Sequence, residues 1–403
     1  MALLILLALA FALQFLAGLT LGYYWLLAAV ALLVRRSPAS PSERPTTRVV
    51  ILIPAHDEAA TIGATLRSCA ELDYPSELFS VAVIADNCQD TTAEVVRDHG
   101  VRCLERTDPA KRGKGYAVEW GLKSLEPEPF DAVLVLDADC KLQRTALRYI
   151  DSHRAAGSGI IQCNNCVENP DDNLQTYALA VGNFVENELF HAPKSRLGLA
   201  VYLRGTGMVI SKSVLEEVPW TAHSVTEDTQ YTLELLLRGH RIAFAREARV
   251  LSPFPIERRG LAVQRRRWVG GNLALAIRVA APTILRGIAI GRIAMADAGW
   301  TLICQSKSLF LCELFAATAF AAAGSLLRPG AIGCLAVSIS ASLFAAFAVY
   351  ILLGALLMGL NRRRIGLLVR APAAACDLAL AAIRAILLPV RSVWEKTPRS
   401  HAR

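Results

Sequence analysis

The sequence predicts an α/β domain built on a parallel sheet and held between membrane helices at its two ends. Three observations carry that reading. Hydrophobic residues make up 54% of the 403-residue chain and charged residues only 19%, against about 45–50% and about 25% in soluble domains. Mean hydropathy is accordingly positive, at +0.38, and the apolar surplus is packed into residues 1–34 and 297–390. Between these ends, short apolar strands alternate with helical stretches, the pattern of a sheet covered on both faces. This composition excludes a disordered, fibrous or disulfide-scaffold protein.

The ends come first. Residues 1–34 carry no charged side chain and are followed by Arg35-Arg36. The stretch is over twice the length of a signal-peptide core, and its charges follow it instead of preceding it. It therefore reads as a retained anchor (1–36), one span in preference to a re-entrant pair, with the arginines in the cytoplasm. Residues 304–327 and 331–360 are each long enough to cross about 30 Å of hydrocarbon, so 297–361 holds two transmembrane helices. Arg362-Arg363-Arg364 marks the cytoplasmic side of the second. In 362–403, Arg370, Asp377, Arg384 and Arg391 fall seven apart. They line one face of a helix lying on the membrane, ahead of a basic tail; a third C-terminal span is the alternative. Residues 256–296 mix arginines with apolar residues and read as further interfacial helices.

Charge and cysteines narrow the class. The net charge of +8 comes from basic clusters that abut apolar segments. That distribution fits cytoplasmic flanks in contact with membrane lipids, not a nucleic-acid stripe. The ten cysteines form no framework of spacings, which fits reduced cytosolic thiols. Cys163 and Cys166 make a lone CxxC, read as strand or turn residues in preference to a zinc or redox pair.

The linker 37–47 (SPASPSERPTT) leads into a cytosolic domain, 48–255. Strand 49–53 is followed by Pro54-Ala55-His56-Asp57-Glu58 and a helix over 59–71. Strand 80–85 ends in Asp86, with a helix over 91–99. Strand 101–105, the loop Lys111–Gly115, a helix over 116–125 and strand 131–136 complete the pattern. Ligands in such sheets sit beyond the carboxyl ends of the strands, and here three of those ends carry acid: Glu58, Asp86, and Asp137 with Asp139. The first turn lacks GxGxxG, so the dinucleotide phosphate turn is missing. Asp137-Ala138-Asp139 points two carboxylates the same way, an arrangement suited to one divalent cation shared with a diphosphate. Gln264, Arg267 and Trp268 fall at i, i+3 and i+4 on one helix face, where Arg267 can clamp a phosphate and Trp268 can stack on a sugar.

Taken in order, Pro54–Glu58, Asp86-Asn87, Lys114-Gly115, Asp137-Ala138-Asp139, Thr226-Glu227-Asp228 and Gln264–Trp268 resemble a membrane-embedded family 2 glycosyltransferase. That group contains cellulose, hyaluronan and poly-N-acetylglucosamine synthases. The resemblance spans about 49–270, with His56-Asp57 standing where the family shows an aromatic-Asn pair. It implies a GT-A type fold with a parallel or mixed sheet, a UDP-sugar donor and Mg²⁺ or Mn²⁺.

The resemblance also implies roles. Pro54, Ala55, Glu58 and Asp86 would hold the nucleoside, Asp86 through the base N3–H; capping and turn formation are the plain alternative for both acids. Asp137 and Asp139 would hold the metal against the phosphates, with Lys114 and Arg267 adding positive charge; a solvated loop lysine is the other reading of Lys114. Asp228 matches the family's base, although Glu227-Asp228 also suits a helix N-terminus. Thr206, Gly207, Glu227, Gln264 and Trp268 would meet the acceptor, unless Gly205-Thr206-Gly207 is a plain turn. An intact QxxRW accompanies processive synthesis in the family. The expectation is therefore inverting, metal-dependent transfer of a hexose or N-acetylhexosamine to a growing polysaccharide at the inner membrane. The catalytic domain would lie in the cytoplasm, and a dimer or export partner would assist secretion. The alternatives are single addition to a membrane lipid and an inactive subunit of a secretion complex.

Overall fold

The computed structural model describes residues 2–34, 39–254, 258–327 and 329–387. The β-branched runs become eight strands: β1 (Val49–Ala55), β2 (Phe79–Asp86), β3 (Arg102–Arg106), β4 (Ala132–Val135), β5 (Lys141–Leu142), β6 (Ile160–Val167), β7 (Met208–Ser211) and β8 (Ile242–Ser252). They form one sheet in the order β3-β2-β1-β4-β7-β6-β8-β5. The first four strands are the expected ones, and the pairings among them are parallel. The sheet as a whole is mixed, because β7 runs antiparallel to both β4 and β6. Alternation along β1 sends Ile51 and Ile53 into one buried face and Leu52 into the other, as a strand covered on both sides requires. Cys163 and Cys166 lie in β6, so that CxxC is a piece of strand.

The described part of the Ser/Pro linker is a strap, not a free tether. Ser42 N donates to Arg148 O at 3.1 Å, and the Asp151 carboxylate accepts from Thr46 N and Thr47 N at 3.1 and 2.9 Å. Polar linker residues thus satisfy their backbone groups along the helix Ala146–Ala155.

Four helices among the described residues are long and apolar enough to cross a membrane, which makes this a membrane protein: Leu4–Leu33, Trp268–Ala289, Lys307–Leu327 and Ala331–Leu357. Three were expected. The fourth belongs to a 32-residue helix, Arg258–Ala289, one helix where several interfacial ones were anticipated over 256–296; just beyond it Arg292 donates to Leu237 O at 3.2 Å and Asp297 pairs with Lys194, so the chain is back at the sheet domain. The C-terminal stripe is also corrected. A 58° bend separates Arg362–Val369 from the helix beginning at Ala371, so Arg370 ends one helix while Asp377 and Arg384 share the next. Arg391 and the basic tail lie outside the described residues.

A buried polar joint fixes the sheet domain on these helices. Lys194, fully buried, pairs with Asp297 at 3.0 Å and donates to Thr301 Oγ1. Asp297 also accepts from the Tyr23 hydroxyl and from Ala200 N at 2.9 Å. Burial lowers the Lys194 pKa, partly offset by Asp297. Around the joint, Tyr24 stacks on Tyr350 at 5.3 Å and meets Phe190 edge-on at 6.0 Å, which joins the N-terminal helix to the sheet domain. Lys194→Met, which leaves Asp297 buried without its cation, should cost about 3 kcal/mol, read as a lower unfolding temperature in detergent. Lys194→Met combined with Asp297→Leu should recover part of that loss; a double variant less stable than the single would refute the joint.

Candidate active site

The carboxyl ends of β1, β2 and β4 lie on one side of the sheet, and the turns leaving them deliver the acids. Asp57 and Asn87 adopt φ of +54° and +51°, left-handed conformations that aspartate and asparagine tolerate. His56 Nδ1 lies 2.7 Å from Asp86 O and ties the two turns together. Glu58 accepts from Thr61 Oγ1 at 2.6 Å, and its carbonyl accepts from Ile62 N, so it braces a helix start while lining the cavity. Asp86 is 3% exposed, and its Oδ1 accepts from Arg106 and from Asn87 Nδ2. Neither Asp86 nor Ala55 lines the cavity wall, whereas Pro54 does.

Arg106 escaped the sequence reading. It stands opposite Asp86 in the β2–β3 register and reaches on to Asp108 Oδ2 and Lys111 O at 3.2 and 3.0 Å. The signal was an arginine just past the strand that neighbours an acid-ending one.

After β4 come Asp137 and Asp139. Lys114 opens the helix Lys114–Leu125. Its ammonium bonds Asp137 Oδ1 and, at 2.6 Å, Gly205 O, with Glu227 Oε1 at 3.9 Å. Burial opposes that charge, but Asp137, Glu227 and Asp228 together outweigh it and hold the pKa above its usual value. Lys114 is thus no solvated loop lysine. The ligand atoms of Asp137, Asp139 and Cys140 lie within 4.8 Å of one another. Two carboxylates suit a hard, oxygen-preferring cation such as Mg²⁺ or Mn²⁺. Burial raises the Cys140 thiol well above its usual pKa, and its Sγ lies 3.1 Å from Ser252 Oγ.

Glu227 and Asp228 occupy the first turn of the helix Glu227–Leu237. Asp228 Oδ1 accepts from Thr229 N at 2.7 Å, so the acid does help the helix start. Burial raises both carboxyls above the ordinary range, Asp228 adds to the shift on Glu227, and Lys114 counteracts it. A carboxylate with raised pKa, buried beside a cavity, is a better proton acceptor than a solvated one.

Gly205-Thr206-Gly207 is more than a turn. Its glycines sit at φ +77° and +68°, and Thr206, 2% exposed, accepts from Asp137 N at 3.1 Å. Any Cβ on Gly207 would stand 2.9 Å from both Cys163 Cβ and Val250 Cγ2. Gln162, another residue the sequence did not single out, clamps this loop from β6: Nε2 donates to Thr206 O at 2.9 Å, and Oε1 accepts from Arg204 N at 2.8 Å. Gln264 and Arg267 fall in the helix Arg258–Ala289, with their side chains outside the described residues. Trp268 is 42% exposed and lines the cavity, its ring 6.3 Å from Phe254.

One cavity of about 1020 Å³ joins these groups. It runs from Glu58, Lys114, Asp137 and Asp228 past Arg204 and Glu186. Beyond Lys307 its wall is apolar and comes from the membrane helices: Leu311, Phe315, Phe344, Phe347 and Ile351.

Residues 45–271 match the family described as glycosyltransferase like family 2. Among curated proteins, the chain is 25% identical over 236 residues to the probable glycosyltransferase YdaM of Bacillus subtilis, covering 56% of this chain and 55% of that one. It is 25% identical to the beta-monoglucosyldiacylglycerol synthase of Synechocystis sp. (57% and 48%). It is 27% identical to the poly-beta-1,6-N-acetyl-D-glucosamine synthase of Staphylococcus epidermidis (59% and 57%). The chain thus spans about half the length of these relatives. Among solved structures, a mannosyltransferase from Pyrobaculum calidifontis, in complex with GDP-Man and Mn²⁺, superposes with a TM-score of 0.59 at 19% identity, over 94% of this chain and 99% of that one. The GT-A type architecture expected from the motifs is the one present.

Gly207→Val should destabilise the fold by about 2 kcal/mol through overpacking and backbone strain and should abolish transfer by displacing Asp137. A variant of unchanged melting temperature and activity would show that the close approach does not matter.

Proposed function

The chain belongs to glycosyltransferase-like family 2, and from that premise we propose that it moves one sugar from a nucleotide diphosphate sugar to the hydroxyl of a membrane lipid, inverting the anomeric centre. One observation carries the acceptor reading: the cavity leads from the carboxylate cluster to Leu311, Phe315, Phe344, Phe347 and Ile351 on the membrane helices. An acyl chain gains from burial against such a wall at about 25 cal/mol per Å², whereas a hydrated glycan would lose hydrogen bonds there. The sequence favoured a growing polysaccharide; the apolar wall favours its lipid alternative. Polymer synthesis stays as the second reading, because a poly-N-acetylglucosamine synthase is as similar to the chain as a lipid glycosyltransferase.

In this proposal Glu58 and His56 line the nucleoside end of the cavity, and Asp86, pinned by Arg106 behind that wall, positions the turn through His56. Asp137 and Asp139 would hold Mg²⁺ or Mn²⁺, which supplies charge neutralisation for the departing diphosphate. Lys114 fixes Asp137 and brings its charge to the same place. Asp228 takes the proton from the acceptor hydroxyl as that oxygen bonds to the anomeric carbon. The bond to the nucleotide diphosphate breaks with its electron pair leaving on phosphate oxygen. Attack from the face opposite the leaving group turns an α-linked donor into a β-glycoside. Thr206 and Glu227 shape the acceptor side, and Trp268 can stack on the sugar. Taking Arg258–Ala289 to lie along the membrane surface, because Arg292 and Asp297 beyond it return to the sheet domain, and the basic flanks as cytoplasmic, the catalytic domain faces the cytoplasm of an inner, or plasma, membrane.

Product analysis tests this with lipid-reconstituted protein, Mg²⁺ or Mn²⁺ and a panel of radiolabelled UDP- and GDP-sugars. Label should enter the organic phase as a β-glycoside, and Asp228→Asn should lower transfer at least 10³-fold while still binding nucleotide. A high-molecular-weight, glycosidase-sensitive product would establish the polymer reading instead. Asp137→Ala should weaken nucleotide binding in the presence of metal and leave it unchanged in a chelator. Equal weakening in both conditions would remove the metal assignment.

A further inference from the structure

Between the reacting end of the cavity and its apolar end lies a polar belt with no part in the chemistry above. Glu186 and Lys307 pair across it at 2.9 Å, with Lys307 the first residue of a membrane-spanning helix. Both line the cavity, as do His191, Asn183 and Gln305. Glu186 sits on a stretch of π-helix, Val185–His191, a local widening that is common at functional sites. Its neighbour His191 lies 3.4 Å away and is 1% exposed. The order along the cavity follows from the chain: Arg204 adjoins Gly205 at the reacting end, and Leu311 and Phe315 follow Lys307 by one and two helical turns on the same face.

An ion pair buried where the sheet domain meets a membrane helix costs desolvation, and one that lines a cavity there marks a substrate path. Behind this belt two buried polar atoms, Gln305 Nε2 and His191 Nδ1, have no partner among the described residues, so the polar layer extends below the cavity wall. Resting on the lipid-acceptor reading, we propose that this belt is a head-group subsite for a neutral, polyhydroxylated lipid head such as a glycosyl unit.

The charge balance selects that class over a phosphate. Lys307 is already engaged: it pairs with Glu186, donates to Gln305 O at 3.2 Å and lies 4.5 Å above the Phe190 ring. Arg204 spends a donor on Asn187 Oδ1. The Glu186 oxygens, shared with Lys307 and His191, keep lone pairs for hydroxyl protons, and Asn183 Oδ1 accepts from Asn187 Nδ2 at 3.0 Å; an anionic head would meet the Glu186 carboxylate with both nearby cations already bonded.

The test uses the full chain in liposomes with the donor identified by product analysis, and three lipid probes: dioleoylglycerol, monoglucosyl-dioleoylglycerol and dioleoyl phosphatidic acid. The sugar-headed lipid should be used with an acceptor KM at least tenfold below those of the other two. Glu186→Gln and Lys307→Met should each raise that KM at least tenfold with a donor KM shift under about twofold, and Lys307→Arg should restore it. Labelling of all three lipids alike, or preference for phosphatidic acid or dioleoylglycerol, overturns the head-group assignment and leaves the lipid reading standing. An acceptor KM unmoved by both substitutions also overturns it. Polymer formation with no labelled lipid removes the lipid reading and this subsite with it.

Discussion

The ammonium of Lys114 is the contact on which the candidate site depends. Asp137, Glu227 and Asp228 are gathered in one largely buried place, where like charges repel strongly at low dielectric. A single cation bonded to Asp137 and to Gly205 O, and close to Glu227, makes that gathering tolerable. It also ties together the turn after β4, the glycine loop before β7 and the start of the helix Glu227–Leu237. The raised pKa of the acid pair and the raised pKa of the lysine are two sides of the same arrangement.

The sheet supplies the rigid frame for that contact. Parallel pairing sends β1, β2 and β4 out on one side, and antiparallel β7 brings Gly205–Gly207 back to the same place. Gln162 and Thr206 then lock the loop to the backbone of Asp137. The positive φ at Gly205 and Gly207, and the close approach of Gly207 to Cys163 and Val250, are what such a tight return demands.

The sheet domain and the membrane helices share a core. Tyr177, Val181, Val185 and Phe190 from the sheet domain pack with Tyr24, Phe310, Phe347 and Tyr350 from the helices. The two ion pairs set into that boundary, Lys194–Asp297 and Glu186–Lys307, do different work. The first is sealed and joins elements; the second faces the cavity. That cavity is lined by acids at one end and by apolar side chains at the other.

By itself the sequence determined the order of elements and the residue types at the strand ends, because both are local. Short apolar runs bounded by helical stretches marked β1 to β4, uninterrupted apolar length marked three membrane helices, and acids after strands marked Glu58, Asp86, Asp137 and Asp139. Strands β5 to β8 were not legible. Their pairing joins residues far apart in the chain, and β5 and β7 are too short to show a period. The single helix Arg258–Ala289 was read as several because its arginines interrupt the apolar run, and the stripe through Arg370 was read as continuous because a bend is set by packing. Tertiary structure alone decided that Lys114 is a buried hub, that Arg106 holds Asp86, and that Glu186 meets Lys307, 121 residues away. A side chain's charge environment depends on what the fold brings within a few ångströms of it, and no local pattern encodes that.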